Sequence, residues 1–563
     1  MENSMENIVS LAKRRGFIFA GSDIYGGLAN SWDYGPLGVE LKNNIKQEWW
    51  KRFVQQRADV VGIDAALLMN SKVWEASGHL VNFTDLLVEC KKCHARFRAD
   101  QLVSNQDKYQ KLANEIFEYF TKFANEQNLW EVEQTSDGKL IPIATILENR
   151  FNHYFTDNEY FSGREKDVIL DFFKKLAQEL EKDIDYDIDV DREGWISAYS
   201  TFRHDFMDIF SEIKNFQSLI LQLYLDREAK CSVCGERNWS ESKQFNLMLK
   251  TYLGPSEESA NTVYFRPETA QAMFVNFKNV IDTNHPKIPF GIAQQGKAFR
   301  NEITPGNFIF RMREFEQMEI EYFVKESEWE KHFEYWLQEM KRWLKDLGVS
   351  NKKLHYIDIP DGERAHYSKR TVDIEYEYPF GQKELYGLAY RGDFDLKNHM
   401  EASGQDLRYM DAETKEKFLP HVIEPTWGVD RSVLVAILEA YHQEEAPTAE
   451  EGESATRVVM KFPAWLAPVK VAVLPLSKKE ELSKVAKAIF EKLSKQFVCE
   501  YDETQSIGKR YRRQDEIGTP FVVTVDFESL KDKKVTLRDR DTMKQERIAI
   551  KDLVQKLHDK FIL

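Results

Sequence analysis

The sequence predicts an α+β protein of several domains, and three observations lead to this prediction. A turn at Thr304–Asn307 separates two strand-like flanks, which we expect to pair antiparallel. Apolar residues recur at helical spacing within Asp167–Lys182. After residue 463, strands and helices alternate, which is typical of a small α/β domain. At about 150 residues per domain, the 563 residues correspond to three or four domains.

The acidic segment Gln101–Lys230 is predicted to be a mostly helical insert. Its helical positions are Leu170, Phe173, Leu176 and Leu180. The charged stretch Glu181–Asp187 follows them and is expected to face solvent. Glu444–Arg457 has the composition of a linker or loop.

The C-terminal elements can be assigned one by one. We predict strands at Val469–Leu476 and Phe521–Val525, and helices at Ser477–Gln496 and Ile550–Lys560. Four such elements in alternation define the predicted C-terminal domain.

The composition excludes several classes of protein. Hydrophobic residues make up 42% and charged residues 30%, which is typical of globular chains. The uncharged run Asn215–Leu225 is about half as long as a membrane helix requires, so no membrane span is predicted. The segment Met1–Glu6 lacks the pattern of a secretion signal, and five cysteines are too few for a disulfide framework. A cytoplasmic location is therefore expected.

The net charge of −15 argues against a nucleic-acid partner when it is taken as a whole. Its distribution along the chain leads to a different conclusion. Residues 101–230 contain 15 basic and 26 acidic residues, whereas residues 463–563 contain 21 basic and 16 acidic residues. The excess acid is therefore concentrated in the predicted insert, and the C-terminal domain is mildly basic.

Four of the five cysteines form two Cys-x-x-Cys pairs. The pairs are Cys90 with Cys93 and Cys231 with Cys234, and 137 residues separate them. Four thiolates complete the tetrahedral shell of Zn²⁺, which predicts a structural site that joins the two ends of the insert. The alternatives are ordinary thiols or redox pairs.

The predicted hairpin combines cations, an aromatic ring and a carboxylate on one face. By strand alternation, one face of the second flank carries Arg311, Arg313, Phe315, Gln317 and Glu319. The opposite face carries Met318, Ile320 and Tyr322 and is expected to be buried. On the first flank, Arg300 and Glu302 share a face. The arginines suit phosphate, the ring suits a purine and the carboxylate suits an ammonium group. The alternative is a solvated edge hairpin with salt bridges.

Arg431 gives a second indication of a phosphate site. It lies in or near the first turn of the apolar helix predicted at Ser432–Leu438. A cation there opposes the helix dipole at a cost of roughly a few tenths of a kcal/mol. A bound phosphate would reverse that effect. The alternative is an ion pair with a local acid such as Asp430.

Several common catalytic signatures are absent from the sequence. It contains no phosphate-binding loop of the Gly-x4-Gly-Lys type, no Gly-x-Gly-x-x-Gly, no Gly-x-Ser-x-Gly and no His-Glu-x-x-His. Phosphate-loop ATPases, serine hydrolases of the elbow type and zincin proteases are therefore not expected.

The chain resembles the class II aminoacyl-tRNA synthetases, and within them the homodimeric glycyl-tRNA synthetase family. The resemblance covers nearly the whole chain outside the insert. Beyond the hairpin, it rests on Asp33–Gly38, Ser77–His79, Phe265–Gln271, Arg391–Leu396, Glu424–Arg431, Leu466–Pro468 and Ile507–Pro520. It implies an antiparallel catalytic sheet flanked by helices, and a helix at Leu41–Gln56 that forms the dimer.

The resemblance also implies an ATP site. Arg300 would hold the α-phosphate, Phe315 would stack on adenine, and Arg311 and Arg431 would reach the distal phosphates. Glu384 and Leu385 match an ATP and Mg²⁺ position. The full set comprises Arg300, Asn301, Glu302, Phe310, Arg311, Met312, Arg313, Glu314, Phe315, Glu384, Leu385, Gly428, Val429, Asp430 and Arg431. Arg300 and Arg431 would be the catalytic residues.

For glycine, the resemblance implies a second set of residues. It comprises Arg98, Glu268, Phe315, Glu316, Gln317, Met318, Glu319, Glu424, Pro425, Thr426, Trp427 and Gly428. Glu268 and Glu319 would bind the ammonium group, and crowding would exclude any side chain larger than hydrogen. The family pattern has serine where this chain has Thr426. The hydroxyl is kept, and a methyl group is added beside a very small substrate.

These implications define four domains and a reaction. Residues 1–100 and 231–462 would form the catalytic domain, 101–230 the insert and 463–563 an anticodon-binding domain. Glycine would be activated by ATP and transferred to tRNA-Gly. The alternatives are a nucleic-acid-binding relative without a catalytic site and an amino-acid ligase that does not use tRNA. The arginines count against the first alternative. The basic run Lys509–Arg513 counts against the second, because the family uses it as an anticodon contact; the other interpretation of this run is a solvated helix face.

Overall fold

The computed structural model describes residues 4–103, 107–115, 166, 168–172, 214–254, 262–304, 306–361, 364–365, 367–447 and 454–561. The chain divides into two compact units. One is Thr84–Asn246, and the other is Met1–Phe83 together with Leu247–Leu563. The smaller unit extends beyond residues 101 and 230, because strands on both sides of that segment pair with each other.

The strands are numbered in chain order. They are β1 (Ile18–Ala20), β2 (Trp32–Tyr34), β3 (Val60–Gly62), β4 (Thr84–Glu89), β5 (Arg96–Arg98), β6 (Lys243–Asn246), β7 (Lys250–Tyr252), β8 (Thr262–Tyr264), β9 (Phe290–Phe299), β10 (Glu314–Val324), β11 (Leu354–Asp358), β12 (Arg370–Tyr378), β13 (Gly381–Gly392), β14 (Tyr409–Met410), β15 (Lys417–Phe418), β16 (His421–Gly428), β17 (Tyr441–Pro447), β18 (Ser454–Met460), β19 (Val471–Pro475), β20 (Cys499–Tyr501), β21 (Phe521–Val525), β22 (Lys534–Asp539) and β23 (Gln545–Ala549).

The helices are numbered in the same way. They are α1 (Met5–Arg15), α2 (Pro36–Trp50), α3 (Ser71–Ala76), α4 (His79–Asn82), α5 (Lys214–Arg227), α6 (Ala270–Val275), α7 (Phe277–Asn284), α8 (Trp329–Asp346), α9 (Phe394–Ser403), α10 (Val429–Ala440), α11 (Glu480–Leu493), α12 (Ile507–Ile517), α13 (Ser529–Asp532) and α14 (Leu553–Phe561).

A seven-stranded sheet forms the centre of the larger unit. Its strand order is β11-β12-β13-β16-β10-β9-β3. Neighbouring strands run antiparallel, apart from β3, which runs parallel to β9. The predicted antiparallel catalytic sheet is therefore present.

The predicted hairpin is formed by β9 and β10, which pair from Phe290 opposite Phe323 to Phe299 opposite Glu314. The strands end earlier than predicted. Residues 300–313 connect them, with a 3-10 turn at Phe308–Phe310 whose three side chains are buried in the core. Burial of that turn draws the chain out of the sheet, so the predicted arginines of both flanks lie in the connection. Pro305 of the predicted turn lies outside the described residues.

The reverse face of the sheet packs on helices. Met318, Ile320 and Tyr322 are at most 2% exposed and belong to the main core, as predicted. Side chains from α2, α8 and α10 complete this core. The helix predicted at Leu41–Gln56 begins earlier, at Pro36, and continues beyond α2 as a π-helical turn over Lys51–Gln55. Proline suits a first helical turn, because it has no N–H that would be left unpaired there.

The C-terminal region forms a five-stranded sheet in the order β20-β19-β21-β22-β23. β19 runs parallel to β20 and β21, and the other pairs are antiparallel. The four predicted elements are observed as β19, α11, β21 and α14, with ends that differ by a few residues at most. Alternation of apolar strands and amphipathic helices was sufficient to predict them.

The prediction of a linker or loop at Glu444–Arg457 is wrong over most of its length. β17 and β18 pair antiparallel from Tyr441 opposite Met460 to Pro447 opposite Ser454, and residues 448–453 lie outside the described part of the chain. The charged composition was misleading because Arg457 is buried, where it bonds Glu444 on the paired strand and Asp515 on α12. Arg457 and Glu444, which look solvated in the sequence, thus form an ion pair.

The smaller unit contains a three-stranded sheet in the order β5-β4-β6 and the helix α5. Residues 107–115 and 168–172 are also helical, so Leu170 lies in a helix as predicted. Phe173, Leu176, Leu180 and the charged stretch 181–187 lie outside the described residues. None of the helices in the described ranges is both long enough and apolar enough to cross a membrane.

Candidate active site

One face of the large sheet carries polar side chains between the strands that form its centre. On β10, Phe315, Gln317 and Glu319 alternate with the residues that enter the core. β16 places Thr426 opposite Glu319 and Gly428 opposite Gln317. Because side chains alternate along a strand, these groups share the face that the helical core leaves uncovered. We call this surface the polar face.

Arg300 lies at the end of β9 and is held between two aromatic rings. Its guanidinium carbon lies 5.3 Å from the ring centres of both Phe83 and Phe315. Its Nε donates to the carbonyl oxygen of Pro267 over 3.0 Å. Within the described part of the chain, no carboxylate forms an ion pair with Arg300. The rings and the carbonyl orient a cation that the described residues leave without a carboxylate partner, as a phosphate-binding group requires.

Arg431 is the third residue of α10, in the first helical turn as predicted. Its Nη1 donates to the carbonyl oxygen of Glu384 over 3.0 Å and lies 3.2 Å from the Glu384 carboxylate. Its guanidinium carbon lies 4.5 Å from the ring centre of Phe310. Arg431 is therefore not paired with Asp430, whose carboxylate accepts from the Tyr34 hydroxyl over 2.5 Å and from the Glu316 N–H over 2.7 Å.

The acidic partner of Arg431 belongs to a small carboxyl cluster. Arg431, with smaller contributions from Arg300 and Arg311, lowers the pKa of Glu384. Burial, followed by the charges of Glu384 and Glu375, raises the pKa of the neighbouring Asp373 to about 7. Asp373 was not predicted from the sequence. Its position between Val372 and Ile374, both buried on β12, was a usable signal, because alternation places it on the polar face.

The other end of the polar face contains buried carboxyl groups. Glu319 accepts from the hydroxyls of Thr269 and, over 2.8 Å, of Thr426. Carboxylate oxygens of Glu319, Glu321 and Glu424 lie within 4.8 Å of one another. Glu321 is fully buried and, among the described residues, has no hydrogen-bond partner. Burial and the neighbouring Glu424 raise its pKa well above the usual range. Sequence reasoning missed Glu321.

Arg391 neutralises part of this acidic cluster. Its guanidinium is fully buried and donates to Asp395 over 2.7 and 2.9 Å and to Glu424 over 2.5 Å. The ring centre of Tyr367 lies 3.7 Å from its guanidinium carbon. The Arg391–Leu396 stretch supported the resemblance and contains Asp395, but the second partner, Glu424, lies on β16, and its contact with Arg391 did not follow from the sequence.

Comparison with known proteins identifies the family. Residues 252–441 match the tRNA synthetase class II core domain (G, H, P, S and T), and residues 470–560 match an anticodon binding domain. The chain is 48% identical to the glycine–tRNA ligase of Geobacillus thermodenitrificans over 98% of this chain and 97% of that protein. It is 45% identical to that of Staphylococcus haemolyticus over 100% and 99%. The chain belongs to the glycine–tRNA ligase family. The predicted family, fold class and enzyme class are thereby confirmed.

The residues predicted for the two glycine–tRNA ligase substrates divide between the faces of the sheet. Phe315, Gln317, Glu319, Glu424, Thr426 and Gly428 lie on the polar face, and Arg300, Asn301, Glu302, Arg311 and Arg313 lie in the connection beside it. Phe310, Met312, Met318, Leu385, Trp427 and Val429 are buried in the core. Alternation places Glu314, Glu316 and Pro425 on the reverse side as well. A contiguous match along a strand therefore includes side chains that face away from the site.

Glu316, on the reverse face of the sheet, forms ion pairs with a neighbouring helix. Its carboxylate pairs with Lys42 and, over 2.6 Å, with Lys46 of α2. Glu314 likewise pairs with Lys297 of β9. The Glu316 pairs attach the hairpin to α2, and the Glu314 pair joins the two strands of the hairpin, so these side chains serve the fold.

Arg98 lies in the smaller unit. It pairs there with Asp85 at 3.0 Å and with Asp100 at 2.8 Å. Glu268, in contrast, belongs to the larger unit and is 6% exposed beside Arg391, with 3.9 Å between Oε1 and Nη2. Its assignment to the ammonium group thus fits the acidic end of the polar face, and that of Arg98 stays a prediction.

The four paired cysteines come together in the smaller unit. The Sγ atoms of Cys90 and Cys234 are 3.6 Å apart, as are those of Cys93 and Cys231. All four thiols lie within 4.8 Å of one another. The two pairs thus meet although 137 residues lie between them in the sequence.

The basic run Lys509–Arg513 is less available to a partner than its sequence suggests. Arg510 is 1% exposed and donates to the carbonyl oxygens of Pro475, Leu476 and Asp502. Arg513 pairs with Asp502. Lys509 is exposed. The run is therefore neither a solvated helix face throughout nor a continuous cationic surface.

Proposed function

We propose that this protein joins glycine to tRNA-Gly in two steps at the polar face. The glycine carboxylate attacks the α-phosphorus of ATP, and pyrophosphate leaves. A terminal ribose hydroxyl of the tRNA then attacks the carbonyl carbon of the adenylate, and AMP leaves. The family membership supplies the reaction. The observation that carries the location is that one sheet face has arginines at one end and buried carboxyl groups at the other, and that among these arginines Arg300 forms no ion pair with the described residues.

The arginine end is the proposed ATP site. ATP whose adenine stacks on Phe315 would carry its phosphates past Arg300, which has no ion pair in the described structure and is free to bind the α-phosphate. Arg431 and Arg311 would take the distal phosphates. Adenylyl transfer of this kind depends mainly on positioning and on neutralisation of phosphate charge, so no side chain has to act as a nucleophile.

The carboxyl cluster beside Arg431 fits the Mg²⁺ that accompanies ATP. Magnesium takes oxygen ligands and is held by one or two carboxylates together with substrate phosphates. Glu384 supplies a carboxylate, and Asp373 lies next to it. When bound, the ion would neutralise phosphate charge and orient the pyrophosphate leaving group. Glu384 would then exchange part of its interaction with Arg431 for the metal.

The carboxylate end is the proposed glycine site. Glu268 and Glu319 would receive the ammonium group. Burial raises the pKa of Glu268, but His79 and Arg391 oppose this effect and hold the pKa below its usual range, so the group is charged. Burial raises the pKa of Glu424 well above its usual range, although Arg391 opposes it. The packing of Thr426, Arg391 and Tyr367 around these carboxyls would leave no space for a side chain on the substrate.

We also propose that the four thiols bind structural zinc. Tetrahedral Zn²⁺ with bonds of about 2.3 Å to sulfur requires sulfur atoms about 3.8 Å apart. The observed separations of 3.6 Å fit this requirement. Cys93→Ser should lower the zinc content measured by atomic absorption and lower the unfolding temperature, whereas Cys499→Ser should change neither. Equal zinc in both variants would rule out the site.

The proposed assembly is a homodimer in the cytoplasm that binds tRNA. A loop before α2 exposes Ile24 by 90%, Tyr25 by 87% and Leu28 by 66%, and a clustered apolar surface of this kind indicates a protein partner. Ile24→Glu should shift the sedimentation coefficient towards that of a monomer.

None of the five cysteines forms a disulfide, which suits the reducing compartment proposed for this protein.

Pyrophosphate exchange tests the central proposal. With ATP and labelled pyrophosphate, exchange should depend on glycine and be far slower with alanine or serine. Charging of tRNA should then require the complete chain. Exchange that is equal for the three amino acids would contradict the proposed glycine site.

A further inference from the structure

His79 is a buried residue to which the proposed reaction assigns no contact with a substrate. It begins α4 and is 3% exposed. Its ring lies between Trp74 and Phe83, with ring centres 5.5 and 5.4 Å away. Gly78 has a φ of 78°, which favours glycine and reverses the chain between α3 and α4. This reversal brings the Ser77 side chain back to the imidazole.

The two ring nitrogens of His79 face different partners. Nδ1 lies 2.8 Å from Ser77 Oγ, and Nε2 lies 3.4 Å from Oε2 of Glu268. A carboxylate only accepts hydrogen bonds, so the proton belongs on Nε2. Ser77 Oγ is 3.5 Å from the carbonyl oxygen of Trp74, which is much farther than from Nδ1. The Ser77 hydroxyl therefore donates to Nδ1 and favours the tautomer that directs N–H towards Glu268.

Glu268 is held from its other side as well. Its Oε1 accepts from Gln271 Nε2 over 3.1 Å. Gln271 is itself fixed, since it donates to Asp395 over 2.8 Å and its Oε1 lies 2.8 Å from His399 Nε2. One oxygen of Glu268 is thus oriented by Gln271 and the other by His79. If His79 were removed, Oε2 would lose this polar contact in a buried site.

We propose that His79 is a positioning residue for glycine: its Nε2–H holds Glu268 in the orientation that receives the substrate ammonium group, and Ser77 sets the tautomer. The inference rests on the proposed role of Glu268 in glycine binding. It adds a chain from Ser77 through His79 to Glu268 behind the substrate, so the Ser77–Gly78–His79 sequence has a function in amino-acid selection.

Pyrophosphate exchange kinetics test the proposal. His79→Leu removes the donor, and we expect the KM for glycine to rise about tenfold or more, with the KM for ATP unchanged. His79→Gln keeps a donor near the Nε2 position and should restore most of the affinity for glycine. The matched control is His355→Leu, which removes a half-buried imidazole of the edge strand β11 that lies 2.8 Å from Glu377 of β12. It should leave both constants unchanged.

Two further variants make the outcome decisive. Ser77→Ala keeps the imidazole and loses the tautomer preference, so the KM for glycine should rise by several-fold even if His79→Leu fails to fold. An unchanged KM for glycine in Ser77→Ala, or equal changes in the constants for glycine and ATP, would overturn the proposal. Glu268→Gln separates a failure of the inference about His79 from a failure of the proposed role of Glu268. If it raises the KM for glycine while His79→Leu does not, the inference alone fails. If it has no effect, the proposed role of Glu268 fails too.

Discussion

The arginines of the large sheet and those of the C-terminal region differ in how completely the protein neutralises them. Arg300 contacts two aromatic rings and one carbonyl oxygen, and Arg431 has one carboxylate partner. In the C-terminal region, both oxygens of Asp515 accept from the buried Arg538, and Oδ2 also accepts from the buried Arg457. The Nη atoms of the buried Arg510 donate to three carbonyl oxygens.

This difference separates two uses of the same residue type. A guanidinium that already has its full set of acceptors stabilises the fold, whereas one that is oriented but incompletely paired can bind an anion. The sequence alone suggests that the run richest in arginine is the one most available to an anion. That run, Lys509–Arg513, is instead largely bonded to acceptors within the protein itself. Substitutions at five positions test this comparison.

The largest effect is expected for Asp515→Asn. The substitution removes the charge that compensates two buried guanidinium groups, so the free energy of unfolding should fall by about 3–5 kcal/mol. Urea unfolding followed by circular dichroism measures the change. At temperatures where the variant is folded, glycine-dependent pyrophosphate exchange should persist. Lost exchange at unchanged stability would place Asp515 in the reaction and abolish the distinction.

Arg300→Ala and Arg431→Ala should have the reverse pattern. Each variant should slow pyrophosphate exchange by about 10²–10³-fold, because a preorganised cation is lost from the transition state. The unfolding midpoint should change little. Arg408→Ala is the control, since Arg408 is exposed and pairs with the neighbouring Asp406. Normal exchange in the Arg300 and Arg431 variants would contradict the assigned site.

Lys509→Ala should have a smaller effect, confined to the tRNA step. Lys509 is the exposed cation of its run, and loss of one phosphate contact should reduce the slope of log affinity against log salt by about 0.7–0.9. Filter binding at several salt concentrations measures this slope. Lys531→Ala removes an exposed charge from α13 of the same region, and an identical change in both variants would show that α12 has no special role.

The smallest effect is expected for Thr426→Ser. Serine keeps the hydroxyl that donates to Glu319 over 2.8 Å and removes only the methyl group, so the KM for glycine should change by less than about threefold. Thr426→Ala removes the hydrogen bond to a carboxylate and should raise this constant about tenfold. The two values come from the same exchange assay. A large effect of serine would mean that the methyl group itself shapes the pocket.

Much of the fold was predictable from local pattern. Alternation in the hairpin identified Met318, Ile320 and Tyr322 as core residues, and the C-terminal strands and helices were recognised from their periodicity. The prediction of a linker or loop at Glu444–Arg457 was wrong because a charged composition does not establish that the side chains are exposed to solvent. At the site, Arg300 and Arg431 followed from motifs, whereas Glu321, Asp373 and the orientation of Glu268 did not. These depend on neighbours that the sequence does not place.

The sequence by itself determined the family, the antiparallel hairpin and the two cysteine pairs, because each is written in residues close together along the chain. The tertiary structure decided which charges are available. Arg431 meets Glu384 47 residues away, and Arg457 meets Asp515 58 residues away. Whether a guanidinium can bind a substrate depends on the acceptors that folding brings to it, because a guanidinium whose N–H groups are mostly used within the protein has few left for a ligand.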